Sequence, residues 1–442
     1  MAPAPPIAKP APTNPTPDPD ENHVFRKIVV GFSLAALFVR FGVVPELIAV
    51  LTGVNTYLLY FTAGPAILAT LLSGGLRRTF SVRASYWWMA FFLWMVIATP
   101  FSFWPGGSTR LLISYVRTDL LYLVIAGGLA VRWGEVRALF YTIAAAGVVN
   151  LLTSELLMKT AQGRVSLMGI GTIGNSNDLA AHLVLVLPFL AFITMDPKRS
   201  FFIKFPVLLG IAYGIWVIVG TASRGALVAL LAGLVFILWR ATTAQRVVTL
   251  AVAAFIGVLT VAALPSMTLN RLGNLFGEEH EEATESGEVR SYLFKQSLLF
   301  TVQRPLFGVG PGQFSNYEGN TRVEAGQIGV WKDPHFIFTQ ISADCGIPGL
   351  IFYVGGLISA IWVVVRTRRK ARQQKHLEIM NACFCYLLGI VAFLVAGSLL
   401  PFAYRFYYPA IIGIAISMSI AANRQLDAAA ASIQPQFPVR RY

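Results

Sequence analysis

The chain has 442 residues, of which 56% are hydrophobic and only 13% charged, and its mean hydropathy is +0.64. A soluble chain carries about a quarter charged residues, so this composition excludes an ordinary soluble globular protein. The net charge of +14 would suit a nucleic-acid binder, but the basic residues sit in short connections between apolar runs, which marks membrane orientation instead and leaves no nucleic-acid partner.

Residues 1–25 are rich in Pro and Ala and hold Asp18, Asp20 and Glu21. No apolar core leads to a cleavage site, so the expectation is a disordered cytoplasmic tail and not a signal peptide. Asp18-Pro19-Asp20 matches the D-x-D of some sugar-nucleotide enzymes, but a Pro-rich tail gives it no scaffold. A membrane span needs roughly 20 apolar residues. The stretches that qualify are 27–52, 57–75, 86–104, 112–131, 136–158, 178–195, 201–220, 225–239, 246–268, 336–366, 378–400 and 402–421. The expectation is therefore an all-α polytopic membrane protein with about twelve transmembrane helices. Arg40, Gly42, Pro45 and Glu46 interrupt the first span, which reads as a broken helix or two short ones. Phe201–Gly220 and Arg246–Met267 are apolar all round, as lipid-facing or bundle-interior helices are.

Alternate connections carry Arg77, Arg78 and Arg83; Arg132 and Arg137; Lys198 and Arg199; Arg240 and Arg246; and Arg366, Arg368, Arg369, Lys370, Arg372 and Lys375. The opposite connections are poorer in Lys and Arg, so both termini are expected in the cytoplasm. Residues 26–421 then form one transmembrane domain, with 422–442 as a second cytoplasmic tail. One outer connection, Thr268–Pro334, is far longer than the rest, and loops of that length are usually functional or disordered. Within it Val289–Val302 reads as an amphipathic helix bounded by Pro305. The three cysteines, Cys345, Cys383 and Cys385, lie in apolar segments and offer neither a disulfide framework nor zinc spacing.

The outer face collects the polar clusters. Gly169-Ile170-Gly171-Thr172-Ile173-Gly174 is a literal G-x-G-x-x-G without the strand and βαβ unit of a dinucleotide site. It reads either as a turn with Asn177 or Asp178 capping the next helix, or as the rim of an outer-face site with Arg164. Ser223-Arg224-Gly225 puts a cation where the loop bias disfavours one; it is a snorkelling arginine or a site residue. Ser286-Gly287-Glu288-Val289-Arg290 opens the amphipathic helix after the acidic run 278–288. Consecutive residues such as Glu278-Glu279-His280-Glu281-Glu282 do not readily converge on one ion, so that run reads as solvated charge. Arg304-Pro305-Leu306-Phe307-Gly308-Val309-Gly310-Pro311-Gly312 has the glycines of a tight turn. Among the five histidines, His23 and His280 lie in polar segments, His376 in a basic inner loop and His182 inside a span. His335, in Asp333-Pro334-His335-Phe336, stands at the outer mouth of a span, either as a structural residue or as a base. Two arginines match diphosphate oxygens with planar forks, and a neutral histidine takes a proton from a sugar hydroxyl.

The ordered set Gly174-Asn175-Ser176-Asn177, Thr221-Ala222-Ser223-Arg224-Gly225-Ala226, Arg290, Pro305-Leu306-Phe307-Gly308-Val309-Gly310 and His335 resembles the O-antigen ligase and polymerase superfamily. Ser176 departs from the Gly-Asn-Pro-Asn of many relatives. The resemblance implies a GT-C-like helical fold in the Gram-negative inner membrane, with one large periplasmic loop and a periplasmic active site. It implies an inverting glycosyltransferase that needs no metal or cofactor. The donor would be a glycan on undecaprenyl diphosphate, the acceptor the lipid A–core oligosaccharide, and the surroundings membrane lipids. By motif, Arg224 and Arg290 would bind the diphosphate and His335 would activate the acceptor hydroxyl. Arg164, Asn175 and Asn177 are further candidates for binding diphosphate or glycan. A monomer suffices for this chemistry. The rivals are an O-antigen polymerase, a protein O-oligosaccharyltransferase, and a lipid-linked oligosaccharide flippase. The flippase draws on His182, Arg117, Asp119 and Asp344 as charges at membrane depth.

Overall fold

The structure, a computed structural model, describes residues 23–161, 163–167, 169–273 and 281–433. The Asp18-Pro19-Asp20 match, His280 and the outermost parts of both expected tails lie outside the described residues.

The first span is broken. Helices α1 (His23–Phe41) and α2 (Val44–Thr52) meet at 58°. Val43 is left-handed, with φ 52°, and Pro45 opens α2, so the amide pairing of one continuous helix is not available there. Next come α3 (Leu58–Leu72), α4 (Gly75–Thr79) and α5 (Arg83–Ala98), which runs into a tight turn at Thr99–Phe101. Helix α6 (Pro105–Tyr115) continues through a wide turn at Val116–Leu120 into α7 (Leu121–Leu129), and α8 (Trp133–Leu157) follows. Strands β1 (Lys159–Ala161) and β2 (Arg164–Ser166) form a small antiparallel hairpin with Thr160 opposite Val165. The chain then forms α9 (Ser176–Thr194), α10 (Phe201–Gly220), α11 (Arg224–Arg240), α12 (Thr243–Ala263), α13 (Ser266–Gly273), α14 (Glu281–Gln303), α15 (Phe314–Glu324), α16 (Ile337–Gln373), α17 (Leu377–Ser398) and α18 (Tyr407–Ile433).

Each of the expected spans coincides with a helix. Among the described residues eight helices are long and apolar enough to cross a membrane, or nine if the bent pair is one span, fewer than the twelve expected. The other three stretches are α3, only 15 residues long, α11, 17 residues long, and α18, which carries Asn423, Arg424 and Asp427 in its second half. Helix α18 also runs past residue 421 to Ile433, because Lys370 pairs with Asp427 at 2.7 Å and Gln425 with His376 at 2.9 Å. Helix α9 is the hub of the bundle, packed by α8, α10, α11 and α17, and its buried face includes Leu183, Val186 and Leu190. Helix α12 stands at the periphery with Val247, Phe255 and Val258 exposed.

The long outer connection is not one helix and loop. Helices α13, α14 and α15 occupy it, and α14 is longer than the sequence pattern gives. A second small core under it, built from Leu293, Phe300, Val309, Phe314 and Ala343, fixes α14 and α15 to α16. Helix α16 breaks at Gly346, φ 71° and ψ −177°, and Pro348 removes a further amide. The carbonyls freed by that break are taken up again. Val309 N–H donates to Ala343 at 2.8 Å and Gly310 N–H to Asp344 at 2.9 Å, while Trp94 Nε1 donates to Cys345 at 2.8 Å. The glycine-rich turn after Arg304 is thus the piece that closes the break in α16, and Phe307 in it stacks on Phe101 with centroids 4.1 Å apart.

Of the four residues that a transport path would draw on, His182, Asp119 and Asp344 are held by partners within the bundle, while Arg117 is exposed. His182 is held by Asn150 at 2.7 Å and Tyr407 at 2.9 Å. Asp119 pairs with Arg40 at 3.2 Å, and Arg117 lies over the Tyr60 ring at 5.7 Å. Asp344 accepts from the Phe314 amide and the Tyr404 hydroxyl, both at 2.9 Å.

Candidate active site

The first support of the site is the loop 169–174, which turns at Gly169 with φ 95°. Glu46 of α2 reaches across to accept the Thr172 amide at 2.6 Å, and the Thr172 hydroxyl as well. Leu167 N–H bonds Gly174 O at 3.1 Å. The loop therefore delivers the chain to α9 in a fixed place. The cap of α9 is Asn175, whose side chain accepts the Asn177 amide at 2.8 Å. The capping expectation for Asn177 or Asp178 is corrected by this, because the helix begins at Ser176, ahead of both.

Relieved of capping, Asn177 accepts from Arg164 Nη2 at 2.7 Å. Arg164 also donates through Nε to Thr221 O at 3.0 Å. It therefore ties β2 to the start of α9 and to the turn between α10 and α11. In that turn Ala222 has φ 46°, a left-handed conformation that a residue with a Cβ adopts at a cost. Ser223 follows, and Arg224 is the first residue of α11. Its side chain is exposed.

Arg290, on α14, is the electrostatic centre. Partial burial first, and the like charge of Arg224 second, hold its guanidinium below the usual arginine range. Burial first, then Arg271 and Arg290, lower Arg164 to about 10. His335 is half-buried, and burial first, then Arg290 and Lys332, push its imidazole down to about 4. It is therefore neutral near pH 7. Its Nδ1 is buried and meets no hydrogen-bond partner among the described residues. Asp333, two positions earlier, is raised by burial and bonded by Ser315.

The structure thus brings Arg224, Arg290 and His335 together, with Arg164 and Asn177 beside them. Asn175 caps a helix at the edge. Among the described residues Arg164, Arg224 and Arg290 have no carboxylate at ion-pair distance. Sequence reasoning missed Arg271 and Lys332, although both are cations in the outer connection, the same signal that singled out Arg224. It also missed Thr221, which acts through its carbonyl and leaves no mark in a residue pattern. Positive groups in excess near the N-terminus of α11, where the helix dipole is also positive, are an environment that favours an anion.

No curated protein matches this chain. The O-antigen ligase family model matches residues 209–354. That stretch holds Arg224, Arg290 and His335 and leaves Arg164, Asn175 and Asn177 outside it. Over these residues, about a third of the chain, the protein is similar to the O-antigen ligase family.

Proposed function

We propose that this protein is an O-antigen ligase of the inner membrane, acting at its periplasmic face. On this reading it moves a glycan from undecaprenyl diphosphate to the lipid A–core oligosaccharide by one inverting displacement. The observation that carries the reading is the uncompensated group Arg224, Arg290 and Arg164 beside a neutral His335.

The reaction is written from those residues. The acceptor hydroxyl oxygen attacks the anomeric carbon and forms the new glycosidic bond. The bond from that carbon to the diphosphate oxygen breaks on the opposite side, so the centre inverts. The hydroxyl proton passes to the His335 imidazole and then to solvent. The electron pair of the broken bond stays on undecaprenyl diphosphate, whose growing charge Arg224 and Arg290 hold with bidentate hydrogen bonds. Arg164, engaged by Asn177 and Thr221, fixes the rim and adds to the field. The bundle supplies a GT-C-like scaffold, and the polyprenyl tail lies between spans in the lipid.

The test is a transfer assay with purified protein in detergent and EDTA. Undecaprenyl-diphosphate-linked glycan is offered with lipid A–core, or with a second lipid-linked glycan alone. Glycan joined to lipid A–core is the expected product. Elongation of the lipid-linked glycan alone would contradict the ligase assignment in favour of a polymerase. No transfer to either acceptor would contradict the glycosyltransferase.

A further inference from the structure

His335 stands on no regular element. It ends the strap 325–336 that joins α15 to α16, so something outside the strap must hold it. The strap contains one strained residue, Trp331 with φ 52°. Such a conformation persists in a non-glycine residue only where the surroundings impose it. Here the Trp331 indole lies on the bare backbone of Gly319, where a Cβ would collide with the ring. Gly329 gives the indole Nε1 the same clearance.

Beside Gly319 is Glu318, 1% exposed. Its Oε2 accepts the amides of Val330 and Trp331, each at 3.2 Å. Its Oε1 accepts the Tyr292 hydroxyl at 3.0 Å and lies 4.0 Å from Arg322 Nε. Arg322 in turn covers the Tyr292 ring at 4.9 Å. Tyr292 follows Arg290 by two positions on α14. One buried carboxylate therefore holds both the helix that carries Arg290 and the strap that carries His335. Nearer the imidazole, Phe294 of α14 meets Phe336 edge-on at 5.6 Å. Burying a carboxylate is costly unless its oxygens are fully used, and these oxygens are used on the two sides of the site.

We propose that Glu318 is a positioning residue that sets the separation of Arg290 and His335 by clamping the strap 325–336 to α14. The proposal rests on the roles given above to Arg290 and His335. The charged groups that act on His335 are Arg290 from α14 and Lys332 from the strap; Asp333, also in the strap, is bonded by Ser315. Closed, the strap keeps the imidazole half-buried beside two cations, which lowers its proton affinity. Opened, it admits water to the ring and moves it from Arg290, so proton affinity rises.

The experiment follows His335 directly. Full-length protein labelled with 13C-histidine is titrated in detergent micelles between about pH 8 and 5, with the His335 signal assigned by its loss in His335→Ala. In the wild type this signal stays that of a neutral ring. In Glu318→Gln, which cannot accept all three donors, proton affinity is expected to rise roughly tenfold or more, and the acid limb of glycan transfer moves up with it. Tyr292→Phe, which removes one hydroxyl, gives a smaller shift in the same direction. A folded Glu318→Gln protein with wild-type elution, melting temperature and His335 titration would overturn the proposal. If that variant does not fold, an unshifted His335 in Tyr292→Phe overturns it. A shifted His335 in a protein whose wild type transfers no glycan would uphold the clamp and sink the transferase reading.

Discussion

Arg224 is placed where its helix repels it. The N-terminal turn of α11 presents unpaired amides and the positive end of the helix dipole, and Arg290 adds a like charge. An anion bound there satisfies all three at once. Lysine keeps the charge but loses the planar fork, so Arg224→Lys and Arg290→Lys should lower kcat/KM for transfer by roughly tenfold. The alanine variants should lose roughly 10–100-fold or more. Full transfer by both lysine variants would refute bidentate binding of the diphosphate. His335 makes a second prediction, read from a pH profile. A base must be unprotonated, and its pKa is lowered to about 4, so kcat/KM stays level as pH falls from neutral and is lost only through that value. A bound diphosphate would offset the charge of Arg290, one cause of the lowering. The acid limb of kcat, which reports the loaded enzyme, is therefore expected at higher pH than that of kcat/KM; coincident limbs would count against the arrangement. At this scale the sequence was informative where a cation violated the loop bias, as Arg224 does. Arg164 was less legible, because its place depends on the Thr221 carbonyl and on Asn175 taking over the cap.

Helix α16 and the turn that seals it show how elements aim these side chains. The turn glycines were readable as a bend, but not the surface the bend is made for. Gly308 and Gly310 have φ 67° and 114°, and a Cβ on either would collide with the carbonyl of Ala343 or with Ser102. Gly346 is equally closed in, against Leu306. Gly346→Ala should therefore destabilise the protein by about 2–5 kcal/mol, combining a strained backbone with overpacking. A thermal melt in detergent measures this, and an unchanged melting temperature would mean that the break in α16 is not a built feature. The hairpin of β1 and β2 was invisible in the sequence for a different reason. Each strand is three residues long, too short for an alternating pattern. The full extent of α14 was hidden by the acidic run at its start, where charge dominates the periodicity.

For the whole molecule, long apolar runs gave the helices, since a bilayer imposes length and apolarity on the chain itself. The span count was less secure because α3, α11 and α18 are short or end in polar residues, so bundle contacts and not composition decide their place. In the topology proposed from the charge bias, the site end of α11 and α16 faces the periplasm and their basic ends face the cytoplasm. Cysteines introduced at Gln327, in the strap, and at Lys375, after α16, test this with an impermeant thiol reagent, the native cysteines being buried. Gln327→Cys should be labelled in intact spheroplasts and Lys375→Cys only after permeabilisation; the reverse would put the site in the cytoplasm. The most direct test of the site itself compares wild type with His335→Ala, measuring donor binding and transfer to lipid A–core in parallel. The expected result is unchanged affinity for the lipid-linked donor with transfer reduced roughly 10²–10⁴-fold, whereas transfer at the wild-type rate would contradict a base at His335 and with it the mechanism.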